Sequence, residues 1–124
     1  MKTKVSNLDL YQLDYLVAKA EGLIPFVRNN KCFIKNAGYY DTYYSPTTNP
    51  SQAWPIIERE RITIDTCEDD DEKDTEWMAT NGGFNREQGI PYYFFGKTSL
   101  EAAMRCYVAS KFGDEVDMDN LINK

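Results

Sequence analysis

Gly96-Lys97-Thr98-Ser99-Leu100-Glu101-Ala102-Ala103-Met104-Arg105-Cys106-Tyr107-Val108-Ala109-Ser110-Lys111-Phe112-Gly113-Asp114-Glu115 carries both a helix start and a helix stop. Thr98 suits the N-cap position, and Glu101 three residues on completes a capping box. Leu100, Ala103, Met104, Tyr107 and Val108 recur at helical spacing and predict one apolar stripe. Gly113 supplies a left-handed C-cap, with Lys111 in the last turn where the helix dipole favours a cation. Arg105 lies off the centre of that stripe, placed to reach a neighbouring element. The stretch also opens with Gly-Lys-Thr, the tail of a phosphate-binding loop. Such a loop needs Gly-x-x-x-x-Gly-Lys-Ser/Thr, because its first glycine lets backbone N–H groups curl round a phosphate. Five residues before Gly96 stands Pro91, which has no N–H and a fixed φ. Tyr92, Tyr93, Phe94 and Phe95 fill the interval and favour a pleated strand. The stretch therefore reads as a strand, a turn at Gly96 and a capped helix, not as a phosphate cradle.

Working outward, Leu10, Leu13, Leu16, Val17 and Ala20 form the buried face of a helix from about Leu10 to Ala20. Asp9 caps it with Gln12 reaching back, Gly22 ends it, and Pro25 prevents its resumption. Lys31-Cys32-Phe33-Ile34 reads as a strand, Asn36-Ala37-Gly38 as a turn, and Tyr39 to Tyr44 as the partner strand. A polar loop is expected from Ser45 to Gln52. Pro55 at a first helical position predicts a turn or two of helix that feeds the strand Ile62-Thr63-Ile64. Further strands are expected around Trp77-Met78-Ala79 and at Tyr92 to Phe95. The sum is an α+β fold: a small, mostly antiparallel sheet with an N-terminal and a C-terminal helix packed on it. Residues 1–124 are expected to form a single domain, with a solvated acidic loop at about 67–76.

Composition narrows the function classes. A hydrophobic share of 42% with 27% charged residues is ordinary for a globular chain. No run reaches the length of a membrane span, and Met1 to Val5 lacks a signal-peptide core, so a cytoplasmic protein is expected. The net charge of -6 is local. Glu68, Asp69, Asp70, Asp71, Glu72, Asp74 and Glu76 surround a single base, Lys73, and the remainder of the chain is balanced. No basic stripe stands ready for a phosphate backbone, so nucleic-acid binding is disfavoured. The acidic run lacks the glycine and the distal glutamate of a calcium loop. Cys32, Cys67 and Cys106 are too widely spaced for a metal knuckle and odd in number, so reduced thiols are expected.

Catalysis has little to stand on. The chain has no histidine, which removes the commonest general base near neutral pH. Glu58 and Glu60 alternate with Arg59 and Arg61 and read as an ion-paired face rather than an acid/base pair. No catalytic residue, metal ligand or cofactor is expected. Binding is better served. Tyr39, Tyr40, Tyr43, Tyr44 and Trp54 are dense in a loop-flanked segment, with Arg59 and Arg61 close behind. Ring faces and guanidinium planes suit a flat heterocycle or nucleotide, and Ser45, Thr47 and Asn49 add neutral hydrogen-bonding groups. The competing reading makes the same aromatics core or dimer contacts.

Four blocks carry a resemblance: Leu13 to Gly22, Tyr44-Ser45-Pro46-Thr47 leading to Pro55-Ile56-Ile57-Glu58-Arg59-Glu60, Trp77-Met78-Ala79, and Ala102 to Val116. Together they resemble the NinX-like family of small tailed-phage and prophage proteins, a domain of unknown function. The acidic tract from Glu68 to Glu76 and the run from Tyr92 to Phe95 lie outside those blocks. The resemblance implies a phage accessory protein at work in the cytoplasm of the infected bacterial host. The expected role is non-enzymatic binding of a small, nucleotide-derived ligand, sequestering a bacterial immune signal as a counter-defence sponge. The alternative is an interaction module that inhibits a host protein. Tyr44, Ser45, Thr47, Trp54, Glu58, Arg59 and Arg61 are the expected ligand-binding residues, with Arg105 as an outside clamp, and a homo-oligomer is expected.

Overall fold

The computed structural model describes residues 2–36, 40–67, 76–81 and 93–119. The elements run in the order β1 (Thr3–Lys4), a 3-10 turn (Val5–Asn7), α1 (Leu10–Ala20), β2 (Pro25–Arg28), β3 (Lys31–Lys35), β4 (Asp41–Tyr43), α2 (Pro50–Glu60), β5 (Ile62–Cys67), β6 (Glu76–Asn81), β7 (Phe94–Gly96), α3 (Ser99–Phe112) and β8 (Glu115–Val116). The fold is α+β and every strand pair is antiparallel. Among the described residues the strands form three small sheets: β2-β3-β4, β5-β6-β7, and the pair β1-β8.

Two helices make the middle of the molecule. α1 packs on β2 and β3, α3 packs on β5, β6 and β7, and α1 and α3 pack on each other. The layers are therefore sheet, helix, helix, sheet, with α2 against α3. This placement changes the reading of α3. Every residue from Ala102 to Ala109 is buried, so the helix is covered nearly all round rather than along one stripe. The alanines at 102, 103 and 109 make that possible, because small side chains let neighbouring backbones approach closely.

The helix ends follow the sequence closely. Gln12 Oε1 accepts from Asp9 N at 2.9 Å, and Gly22 ends α1 at φ +79°. Thr98 Oγ1 accepts from Glu101 N at 3.1 Å, while the Glu101 carboxylate takes the Lys97 amide rather than that of Thr98. Gly113 has φ +91° and ψ 179°, an extended region open essentially to glycine alone, so the expected left-handed cap is replaced by an abrupt reversal into β8. Gly96 is needed for space: a Cβ there would sit 2.6 Å from Ala102 N.

The structure departs from the sequence-based expectations at five places. β2 was not foreseen: Pro25 opens an edge strand, and Asn29 and Asn30, at φ 53° and 58°, turn it into β3. Two successive positive-φ residues make the hairpin turn that matches strand twist, and asparagine tolerates it. α2 begins at Pro50, capped by Asn49 Oδ1 on Ser51 N, so it takes in residues assigned to the polar loop. Pro55 is interior, and the Ser51 carbonyl it cannot serve lies on the exposed side. Cys67 and Glu76 are paired strand ends, not loop residues, while 68–75 lie outside the described residues. The expected partner strand from Tyr39 to Tyr44 shortens to Asp41–Tyr43, with Tyr39 outside the described residues. In the run from Tyr92 to Phe95, Tyr92 is likewise outside, and the strand is Phe94–Gly96.

Candidate functional site

Two helix starts face one cleft. Thr47, Thr48, Pro50 and Trp54 from the beginning of α2 meet Thr98, Ser99 and Leu100 from the beginning of α3 around a cavity of about 460 Å³. The Trp54 side chain is 51% exposed there, unusual for the largest side chain in a chain of this size. Trp54 Nε1 donates to Glu58 Oε1 at 3.1 Å, one helical turn on, which fixes the indole plane. The first turn of a helix leaves amides with no intrahelical acceptor. In α3, Thr98 satisfies that of Glu101, so the Ser99 and Leu100 amides stay at the positive end of a 14-residue dipole.

The α2 side of the cleft is held from beneath by a buried carboxylate. Asp14 Oδ1 accepts from Thr47 N at 2.9 Å and Oδ2 from Thr47 Oγ1 at 3.1 Å. Asp14 is 4% exposed and Thr47 1%. Burial pushes the Asp14 carboxyl up from 3.8 to about 6, against the opposing effect of the two Thr47 hydrogen bonds. Ser45 O accepts from Thr48 N and Asn49 N at 2.9 and 2.7 Å, which closes the turn that launches α2. The Ser45 amide in turn donates to Gln52 Oε1 at 2.7 Å. Ser45 is buried within this turn, and its neighbour Tyr44 is buried with its phenol pKa raised by burial and by Glu21, Asp14 and Cys32.

The far end of α2 is an ion network. Arg59 makes a two-point pair with Glu21, Nη1 to Oε1 at 3.0 Å and Nη2 to Oε2 at 2.6 Å. Tyr107 OH donates to Glu21 Oε2, and the Arg59 guanidinium also lies over the Tyr107 ring. Glu60 bridges Arg59 Nε at 3.0 Å and Lys111 Nζ at 3.4 Å. Burial alone would raise the Glu21 carboxyl, but the hydrogen bonds from Arg59 and Tyr107 and the nearby cations hold it below its ordinary value. This network ties the ends of α1, α2 and α3 together.

Of the residues expected to bind a ligand, the structure brings Thr47 and Trp54 to the cleft, with Glu58 behind the indole. Arg59 and Arg61 stand at the other end of α2, about 14 Å along the axis from Pro50. Arg61, at φ 54°, ends the helix and is exposed. Arg105 is 6% exposed and faces inward, against its expected place as an outside clamp. Its Nε, Nη1 and Nη2 donate to the carbonyls of Val5, Phe95 and Leu8 at 3.1, 2.6 and 3.1 Å. Glu101 completes the set at 3.5 Å. The aromatic platform is divided as well: Tyr43 meets Phe33 at a 50° tilt, Tyr44 points into the core and Trp54 lies on α2. Thr48, Ser99 and Leu100 also line the cleft and are not among the residues expected from the sequence. The signal for Ser99 was present in the Thr98 cap, but nothing in sequence spacing places that cap opposite Trp54.

Among the described residues no group of three or more Cys, Asp or Glu side chains is placed to hold a metal ion. Cys32 and Cys106 are free and buried, and burial pushes both thiols up to about 12. Among the same residues no helix is long and apolar enough to cross a membrane.

These features define a small α+β protein with a half-open polar and aromatic cleft between two helix starts. The chain belongs to the family described as Bacteriophage P22, NinX, whose match runs over residues 4–111. That span takes in the acidic tract and the Tyr92 to Phe95 run, both outside the blocks that carry the sequence resemblance. No curated protein matches the chain.

Proposed function

We propose that this phage protein is a non-enzymatic binder of a small, nucleotide-derived ligand, acting in the cytoplasm of the infected host to sequester a bacterial immune signal. One observation carries the reading: a half-exposed tryptophan, oriented by Glu58, faces the open first turn of α3 across a cavity of about 460 Å³. That volume falls in the range of small-molecule sites. In this reading the Trp54 ring stacks on a base, and the Ser99 and Leu100 amides with the Thr48 and Ser99 hydroxyls receive phosphate or sugar oxygens. Among the described residues the cleft lining holds no side-chain cation, so affinity in this reading rests on stacking and on helix-end amides, which favours a cyclic or ADP-ribose-type nucleotide over a triphosphate. Glu58, the carboxylate beside Trp54, is exposed and engaged with the indole, and in this reading the ligand is held rather than converted.

Native mass spectrometry of the protein made in infected cells tests this reading. A retained small molecule, lost on Trp54→Ala with the fold intact, is the expected result. Protein that carries no small molecule and takes up none of a nucleotide panel overturns it. Turnover of a panel nucleotide, abolished by Glu58→Gln, would make the protein an enzyme instead.

The second reading, an interaction module that inhibits a host protein, is favoured by the exposed aromatic face of β2-β3-β4. A single stoichiometric host protein on that face, with an empty cleft, is the outcome that would prefer it.

A further inference from the structure

The outer face of β2-β3-β4 has a composition unlike the rest of this acidic chain. Register places Phe26, Phe33 and Tyr43 in one row across the three strands. Phe26 and Phe33 stack at 5.6 Å with 20° between planes, and Phe33 meets Tyr43 at 5.6 Å. The next row toward the hairpin turn is Arg28 opposite Lys31, and the row on the other side holds Lys35 opposite Asp41. The Arg28 guanidinium lies 5.3 Å from the Phe26 centroid and 5.9 Å from that of Phe33, and Lys35 Nζ lies 5.9 Å from Phe26. Arg28, Lys31, Lys35 and Tyr43 are exposed, and Ile24 beside them is 65% exposed. Three cations against one acid thus rim a row of rings. Phe26 and Phe33 turn their faces to each other and to Arg28 and Lys35, while Tyr43 is tilted 50° to Phe33. A carboxylate-rich segment complements the three cations, whereas a nucleobase would need the ring faces that Phe26 and Phe33 turn to each other.

The same chain carries such a segment. Residues 68–76 hold seven acids and one lysine. Its own sheet is out of reach. The segment joins β5 to β6, which pack on α3, while β2-β3-β4 packs on α1, with α1 and α3 in between. Three layer spacings of about 10 Å each separate the two sheets. The eight residues between Cys67 and Glu76 can extend at most about 15 Å from the strand ends. We propose that the outer face of β2-β3-β4 docks the acidic segment 68–76 of a second copy of this chain, reciprocally, in a two-fold dimer. A reciprocal contact closes on itself and uses both surfaces on both copies.

Sedimentation velocity of the full chain tests the dimer without any substitution. Wild type is expected to dimerise at about 50 mM salt, with the dimer at least about tenfold weaker at about 500 mM, because exposed charge contacts are screened over a few ångströms there. Two variants then separate the surfaces: Arg28→Glu/Lys35→Glu on the sheet, and Asp69→Asn/Asp70→Asn/Asp71→Asn in the segment. Each alone is expected to sediment as a folded monomer, and an equimolar mixture to recover a heterodimer through the one intact pair of surfaces. Wild type that stays monomeric up to high micromolar concentration overturns the proposal. So does a dimer indifferent to salt, or one that survives either set of substitutions. Because the test follows self-association and not ligand uptake, its outcome is independent of the cleft at Trp54.

Discussion

Asp14, in the middle of α1, receives both the amide and the hydroxyl of Thr47, thirty-three residues away, at 2.9 and 3.1 Å. Both residues are buried, and the turn they fix is the one from which α2 and one wall of the cleft begin. A core helix is thereby made the floor of the site. The consequence for stability is that burial, which lifts the Asp14 carboxyl from 3.8 to about 6, outweighs the hydrogen bonds that favour its charge.

The folded protein therefore binds the Asp14 proton more tightly than the unfolded chain does. Its contribution to stability is present in full below pH 3.8 and is lost as the pH rises through about 6. Above that, the buried charge lowers stability by on the order of 2–3 kcal/mol. Asp14→Asn keeps an acceptor for the Thr47 amide and gives a donor to its hydroxyl. It is expected to be more stable than wild type near pH 8 and to flatten the profile between about pH 4 and 6, read by denaturant unfolding across that range. A variant less stable than wild type near pH 8 contradicts this account.

Glu21 has the opposite sign. Arg59 and Tyr107 hold its carboxyl below 4.5, so its stabilisation is present above that value and declines as acid titrates it in the folded state. Arg59 is half exposed, and solvent screening limits what the pair contributes. A double-mutant cycle between Glu21→Gln and Arg59→Met is expected to give a coupling of about 1 kcal/mol. Tyr107→Phe should cost about 1 kcal/mol for its lost hydrogen bond.

Arg105 is the opposite kind of arginine. It is buried and ties three carbonyls, from residues 5, 8 and 95, to the middle of α3. Arg105→Met leaves those carbonyls without their donor and is expected to lower stability by about 3 kcal/mol or more. Arg105→Lys should recover only part, because one ammonium cannot reproduce a planar fork. Chemical denaturation distinguishes this from a surface role, for which both variants would lie within about 0.5 kcal/mol of wild type.

Gly96→Ala probes the junction that looked like a phosphate loop. The added Cβ meets the Ala102 amide at 2.6 Å and Glu101 Cβ at 2.9 Å, both on the first turn of α3. A loss of about 1–3 kcal/mol is expected, since backbone must move to make room. A neutral outcome would mean that β7 and α3 are not packed this closely.

Local chemistry explains which parts of the fold were legible in the sequence. Thr98, Asp9, Gly22 and Gly113 mark helix ends by capping and by positive φ, which depend on neighbouring residues alone. The exclusion of a phosphate loop rests on the same local chemistry at Pro91, which lies outside the described residues. β2 was hidden because Pro25 suits both a helix stop and an edge strand, and the Asn29-Asn30 turn carries no glycine. α2 was shortened because Pro55, a weak interior residue, looks like a start while the true start at Asn49-Pro50 sits in a polar run. Of the candidate cleft's lining, Thr47 and Trp54 were legible in the sequence and the α3 side was not. Which helix start faces which indole depends on α2 packing against α3, and Arg105 turns inward because three carbonyls from distant segments converge on it.

The central claim, that the cleft at Trp54 holds a nucleotide-derived ligand, is tested most directly by isothermal titration of the folded chain with cyclic nucleotides and ADP-ribose-type signals, in parallel with Trp54→Ala. The account predicts saturable heat from at least one ligand on wild type and at least about tenfold weaker binding to Trp54→Ala at unchanged thermal stability, the loss expected for one stacked ring. No heat from any member with folded wild type, or equal binding by Trp54→Ala, would contradict it.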